Sequence, residues 1–487
     1  MANRPHLVLF NPDHWRGDVM GHLGNPAAVT PNLDALVASE GVSFSRAFCQ
    51  SPVCTPSRCS FMSGWYPHVR GHRTQAHMLR RGEPVLLKAL KDAGYFVWWG
   101  GKNDLVPAQN GFDAYCSVKY TPTGALRPNV HLAADWRGDP GSDTYYSFYA
   151  GRLDTGGEEV YFDHDWAHIT GAIEQIKDRP KDRPLCLFLP ILYPHLPYGV
   201  EEPWYSRIDR GRLSPRLPTP QGWRGKPSML QGIHARLGMQ TWSEERWAAL
   251  RATYYGMCAR VDHQFGMVMQ ALRDAGIYDD TAVFFFSDHG DFAGDYGLVD
   301  ITQNTFEDCL TKVPLIIKPP VGVPLRAGQC DALTELVDVP ATIETLAGLS
   351  PAHTHFGRSL LPLLAGETDG HRDAVFAEGG RLHGEDHCME AAGAWGEPGG
   401  FYWPRLSQQR STGPEHTKAV MCRTNDYKYV RRLYEQDELY DLEDDPGELH
   451  NRIDDPALGD ALASLKERLL EFYLETTDVV PWDADQR

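Results

Sequence analysis

The run Thr281-Ala-Val-Phe-Phe-Phe286 is apolar on both faces, where a half-exposed strand would alternate with polar residues. A strand that must be covered on each side belongs in a sheet with helices packed above and below it. It follows the longest helix signal in the chain, Ser243 to about Ala275. Ser243 stands as the cap, Glu244 and Glu245 fall in the first turn, and Gly276 ends the helix. Shorter pairs repeat the pattern. His6–Phe10 reads as a buried strand before the helix Pro31–Ser39, which has proline at its first position. Val42–Phe48 reads as a strand, and Glu83–Ala93 as a helix stopped at Gly94 before the strand Tyr95–Trp99. Asp163–Lys177 reads as a helix before the strand Leu185–Leu189, and Val313–Lys318 as a further strand. The alternation predicts an α/β sandwich whose mainly parallel central sheet is flanked by helices.

The texture changes near Gly366–Asp373. Beyond it, Ala419–Arg423 and Tyr427–Arg432 read as two hairpin strands around the turn-prone Thr424-Asn-Asp, and Ala457–Glu471 as a terminal helix. The 487 residues therefore divide into a large α/β domain, 1–372, and a smaller C-terminal α+β domain with an antiparallel sheet, 373–487. Leu382–His416, rich in Gly, His, Trp and Pro, shows little periodicity, and a loop that long is functional or disordered.

A formal charge of −18 makes nucleic acid and anionic membranes poor partners. No apolar stretch approaches the ~18 residues of a membrane span, and the N-terminus shows no signal-peptide pattern, so a cytoplasmic protein is expected. The 10 cysteines lack zinc-finger spacing, and a disulfide framework is not expected in that compartment, so most thiols read as small buried hydrophobes. An anionic substrate would need a locally positive pocket, built from a metal and a few basic side chains.

The chemistry concentrates in Cys54-Thr-Pro-Ser-Arg58, followed by Ser63-Gly-Trp-Tyr-Pro67. Pro56 suits a first helical turn. Residue 54 then stands at a helix N-terminus, where backbone N–H groups and the dipole favour anions, and Arg58 stands one turn along. Alone, the pentapeptide has a plainer reading as a chance helix start holding a buried thiol. Two other stretches share its register at strand ends: Asn11-Pro-Asp13-His14-Trp15-Arg16 after the first strand, and Ser287-Asp288-His289-Gly290-Asp291 after the strand Thr281–Phe286. Ligands in open α/β sheets bind outside the carboxyl ends of strands.

C-x-P-S-R followed by G-x-Y-P resembles the signature of the type I, formylglycine-dependent sulfatases of the alkaline phosphatase-like superfamily. The resemblance implies that fold and a cysteine oxidised by a separate formylglycine-generating enzyme. The aldehyde is hydrated; one hydroxyl attacks sulfur, and the other later loses its proton and expels sulfate. It further implies one divalent metal held by Asp13, Cys54 as formylglycine, Asp288 and His289. Calcium is the usual ion, and manganese is the alternative because of the imidazole. Gly101-Lys102-Asn103-Asp104 is similar to the family's G-K-x-H, which makes Lys102 a cation for nucleophile and substrate; Asp104 replaces the substrate-binding histidine. Pro194-His195-Leu196-Pro197 resembles P-H-x-P, whose histidine protonates the leaving oxygen.

The sequence departs from the family's pattern elsewhere. Pro12 replaces the first of two adjacent acids. The lysine that usually precedes Phe306-Glu307 and grips sulfate is missing from Val299-Asp-Ile-Thr-Gln-Asn-Thr305, with Lys312 as one candidate substitute. Tyr254-Tyr-Gly, Val313-Pro-Leu-Ile316, Gly357-Arg-Ser-Leu-Leu-Pro362 and Glu438-Leu-Tyr-Asp-Leu442 also look like stretches that recur in sulfatases. The resemblance implies a sulfatase acting on a small-molecule or saccharide sulfate ester. A phosphonate monoester or phosphodiester hydrolase of the same fold is the alternative, and an inactive family member a third reading. Leu382–His416, with His383, His387, Trp395 and Trp403, is expected to act as a lid over the group bearing the sulfate, or else as a surface or oligomer-contact loop. A homo-oligomer stays open.

Overall fold

The computed structural model describes residues 4–128, 130, 134–390, 396–411, 413–482, 484 and 486. At its centre lies an eight-stranded sheet. In chain order its strands are β1 (His6–Asn11), β2 (Val42–Phe44), β3 (Phe96–Gly100), β4 (Val118–Tyr120), β5 (Leu185–Pro190), β6 (Thr281–Phe286), β7 (Leu315–Lys318) and β8 (Gly328–Cys330). They lie in the order β8-β2-β7-β6-β1-β5-β3-β4. Only β7 runs against its neighbours; every other pair is parallel.

The two-sided apolar strands feed two cores, one on each face of the sheet. Val8, Phe10, Val283 and Phe285 join one; Leu7, Leu9, Ala282, Phe284 and Phe286 join the other. The first core also takes the buried side of α3 (His164–Lys177) and of α4 (Glu244–Asp274), which come after α1 (Pro31–Ser39) and α2 (Cys54–Ser63) in the chain. Asp163 and Ser243 cap α3 and α4, accepting from the backbone N–H of Trp166 and Arg246.

Elsewhere local chemistry breaks elements that periodicity joined. Val42–Phe48 is not one strand: Val42–Phe44 stays in the main sheet, while Ala47–Phe48 pairs with Lys312–Val313 and Thr334–Glu335 in a second, three-stranded sheet. Val313–Lys318 divides at Pro314, which has no N–H to give a ladder. The terminal helix begins later and runs further than expected. Leu382–His416 is less featureless than expected and carries the short helix α5 (Trp403–Leu406).

A separate four-stranded antiparallel sheet follows: β9 (Val375–Gly379), β10 (Ala419–Arg423), β11 (Tyr427–Arg432) and β12 (Glu438–Asp441). One face packs on α6 (Gly459–Thr476) through Phe376, Tyr429, Leu465 and Phe472. Buried charges join this part to the rest. Arg372 pairs with Glu335 (3.0 Å) and Asp338, and Lys428 with Asp308 (2.7 Å) and Glu448. Among the described residues no helix is long and apolar enough to cross a membrane. All the cysteines are buried and unpaired.

Candidate active site

Four strand ends deliver polar side chains to one spot at the carboxyl edge of the central sheet. Asp13 follows β1, Lys102 follows β3, His195 follows β5, and Asp288 and His289 follow β6. Asn11, the last residue of β1, donates its side-chain amide to the Phe286 carbonyl (2.8 Å) and ties two of these ends together. The loop bearing His195 is anchored by Asp165, which accepts from the backbone N–H of Leu192 and Tyr193 (both 2.8 Å).

Facing these ends is α2, buried along its whole length and opened by Cys54 after the extended Val53. Gly64 closes it in the left-handed region (φ 71°), where glycine is cheapest. Ser57 donates to the Asp288 carbonyl (2.6 Å). Arg58 grips Asp288 Oδ2 from Nε (2.9 Å) and Nη2 (2.8 Å), and Nη2 lies 3.3 Å from Asp13 Oδ2. The Cys54 sulfur stands 3.1 Å from His289 Nε2, 3.4 Å from Lys102 Nζ and 3.6 Å from Asp13 Oδ1. Lys102 donates to Asp13 Oδ2 (2.6 Å) and pairs with Asp104 Oδ2 (2.9 Å). Asp104 therefore takes up part of the lysine's charge at the position of the expected histidine. His195 is reached through His14, whose ring centre lies 4.2 Å from its own.

Burial would raise the Asp13 carboxyl, but Lys102 and Arg58 outweigh it and hold the group well below the carboxylate range. For Asp288 burial wins over Arg58, and the carboxyl is raised. Burial lowers Lys102, yet Asp104 and Asp13 keep it a firm cation, well above the ordinary lysine value. Burial, and next Asp13, push the Cys54 thiol well up.

A family model described as Sulfatase matches residues 5–349. The chain belongs to the sulfatase family. By family it is a sulfuric ester hydrolase. This sulfatase is 26% identical over 522 residues to the multifunctional alkaline phosphatase superfamily protein PehA of Trinickia caryophylli, covering 98% of this chain and 96% of that one. It is 26% identical over 475 residues to choline-sulfatase of Rhizobium meliloti, covering 93% and 83%. The phosphonate monoester hydrolase of Agrobacterium radiobacter superposes with a TM-score of 0.74 at 24% identity, over 97% of this chain and 96% of the other, and shares its fold.

The sulfatase holds a donor that the sequence reading passed over. His14, in the same turn as Asp13, brings its ring to 4.4 Å from that of His289. Its Nδ1 lies 2.7 Å from Asp291 Oδ2, and its buried Nε2 makes no hydrogen bond among the described residues. One donor atom each from Asp13, His14, Cys54 and His289 lie within 4.8 Å of one another, all buried. His289 donates Nδ1–H to the Gly290 carbonyl (2.9 Å), so its Nε2 faces the cluster as a lone pair. Two imidazoles braced on their far sides, one of them with an orphaned Nε2, an ionised carboxylate and the side chain of residue 54 fit a divalent cation. Asp288 stands at the rim, with Oδ2 3.8 Å from His289 Nε2 and already held by Arg58.

The remaining residues singled out in the sequence have these surroundings. Lys312 has its charge beside Asp18 and Asp308. Of the lid residues, His383 stacks on Tyr434 (4.3 Å), His387 faces His77 (6.2 Å) and Trp403 stacks on Tyr146 (5.5 Å). Trp395 lies outside the described residues.

Proposed function

We propose that this sulfatase hydrolyses a sulfate monoester by S–O cleavage, with residue 54 converted to formylglycine by a separate maturation enzyme. One divalent ion would be held by Asp13, His14, residue 54, Asp288 and His289. The observation that carries the reading is the place of the Cys54 sulfur, within 3.6 Å of a lysine, an imidazole lone pair and an ionised carboxylate at once. A hydrated aldehyde there would supply one hydroxyl to attack sulfur, while loss of the proton from the other would expel sulfate and restore the aldehyde; the ion would supply charge.

The other roles follow from the chain's own groups. Lys102 stays charged and reaches both residue 54 and the space before it. Arg58 is fixed by Asp288 and Asp13 so that its charge bears on α2's first turn. His195 donates Nδ1–H to the Leu196 carbonyl (2.6 Å), which orients the ring with Nε2 as the nitrogen to meet a leaving oxygen; as an acid the ring must carry a second proton on Nε2, which it gives up to that oxygen. Calcium is the ion that the resemblance implies; His14 makes the donor set richer in nitrogen and moves the balance toward manganese. The chemistry belongs to residues 1–372, and the side facing the substrate, a small-molecule or saccharide ester, to 373–487.

Charge selects the substrate class. Arg58, Lys102 and a divalent ion exceed Asp13, Asp104 and Asp288 by one positive charge, which a singly charged ester neutralises. A phosphate monoester dianion overshoots it. A phosphonate monoester or phosphodiester, also singly charged, is the second reading. Side-by-side kinetics on 4-nitrophenyl sulfate, a phenylphosphonate monoester and 4-nitrophenyl phosphate test this, with that order of kcat/KM expected. Preference for the phosphonate ester selects the second reading, and preference for the dianion contradicts both. Cys54→Ala should lose roughly a thousandfold or more of kcat, as losing the nucleophile of an acting unit does.

A further inference from the structure

Val299–Thr305, the buried stretch after the Asp288-His289 turn, carries no positive charge of its own. A guanidinium from the far end of the chain stands against it instead. Arg405, on α5, has only 8% of its side chain exposed, and its Nε donates to Asp300 Oδ2 (3.0 Å). Its Nη1 lies 3.8 Å from Glu390 Oε2 and makes no hydrogen bond among the described residues. A buried, charged N–H left without a partner is costly, and such a group calls for a ligand to complete it.

Both carboxylates that hold Arg405 lead to the site. Glu390 accepts from the Gln75 backbone N–H (2.8 Å) and from the Gln303 side chain (2.9 Å). Gln75 in turn takes both the backbone N–H (3.1 Å) and the hydroxyl (3.2 Å) of Thr55, the residue after Cys54. On the other side, the Asp300 backbone N–H donates to the Tyr198 hydroxyl (3.3 Å). That hydroxyl donates to Asp291 (2.6 Å), the carboxylate that braces His14. The guanidinium is thus bracketed between a relay ending beside residue 54 and another ending on His14. Tyr402, one turn earlier, is pushed up by burial and Asp300 while Lys102 pulls the other way, which puts this turn within electrostatic range of the site's lysine.

We propose that Arg405 receives the anionic group of the ester, donating from Nη1, and that the C-terminal segment so completes a site begun by the central sheet. Asp300, bonded to Nε, orients the guanidinium without using that N–H, and Glu390 stays 3.8 Å from Nη1, beyond hydrogen-bond distance. A planar fork held rigid gives an oxyanion directional hydrogen bonds that a flexible ammonium does not. The assignment rests on the hydrolase reading above.

Binding without turnover tests it. The full chain is made with Cys54 unconverted, and 4-nitrophenyl sulfate is titrated in by calorimetry with manganese supplied. Arg405→Ala should weaken binding roughly tenfold to a hundredfold, the usual loss for a hydrogen bond to a charged group. Arg405→Lys should weaken it by a smaller factor, and Arg410→Ala, an exposed arginine paired with Glu397, should leave it unchanged. Parent-like binding by Arg405→Ala overturns the assignment. Should that variant fail to fold, the parent crystallised with the ester decides. An ester oxygen within hydrogen-bond distance of Arg405 Nη1 upholds the proposal, and an ester held while Arg405 still faces only Asp300 and Glu390 overturns it. A parent chain that binds no ester contradicts the hydrolase reading as well, whereas an indifferent Arg405→Ala contradicts this inference alone.

Discussion

His14 stands at φ 65°, a left-handed backbone that non-glycine residues rarely adopt, and such strain gathers where a side chain must be aimed. Here it turns the imidazole back beside Asp13, where Asp291 fixes Nδ1 and leaves Nε2 toward Cys54's cluster. Asp291→Asn should therefore weaken manganese binding roughly tenfold to a hundredfold, read by calorimetry, as removal of a partner behind a ligating histidine does. Unchanged affinity would remove His14 from the donor set. Asp13, Cys54, Arg58, Lys102, Asp288 and His289 were legible because each sits in a short motif beside a strand end or helix start, where the fold must gather it. His14 was in plain view next to Asp13, but only the backbone turn tells that its ring points inward. Arg405 gave no signal at all, since no local pattern says which distant loop will stand against Val299–Thr305.

At the scale of single elements, α1 shows how a distant residue finishes what a local one leaves open. Its own Thr30 makes no side-chain cap; instead Asp262, on α4, accepts from the backbone N–H of Asn32 (3.1 Å) and Leu33 (2.9 Å). Burial raises the Asp262 carboxyl to about 6 despite these bonds. The folded chain therefore holds that proton more firmly than the unfolded one. The stability this contributes is complete below about pH 4 and is lost as pH rises through about 6. Relative to Asp262→Asn, which does not titrate there, the parent should lose on the order of 3 kcal/mol between pH 4 and 7 in denaturant titrations. Parallel curves for the two proteins would contradict it. The cap at Ser243 could be read from sequence because the capping residue adjoins its helix. The division at Ala47–Phe48 could not, because which sheet a two-residue strand joins depends on partners far along the chain.

Across the whole molecule, an acidic chain of net charge −18 buries several of its positive charges against carboxylates, Arg58, Lys428 and Arg432 among them. The alternation of strands and helices was enough to foresee the mainly parallel sheet, and the hairpin spacing enough to foresee β10 and β11. The ion pairs that fasten the four-stranded antiparallel sheet to the rest, such as Lys428 with Asp308 and Glu448, were invisible, since charged residues read from sequence default to the surface. Arg372, three residues ahead of β9, anchors the approach to that sheet: with His371 it holds the buried Asp338 carboxyl well below its ordinary range, against burial, and it also pairs with Glu335. Arg372→Ala strands both carboxylates and should cost about 3–5 kcal/mol, measured by equilibrium unfolding. A loss under 1 kcal/mol would show that the junction rests on packing instead.

The most direct measurement is mass spectrometry of the tryptic peptide Ala47–Arg58 from protein made in its native host. The account predicts an aldehyde at residue 54, with the thiol's sulfur and two hydrogens replaced by one oxygen. An intact Cys54 thiol in that protein, with full ester hydrolysis retained, would contradict it.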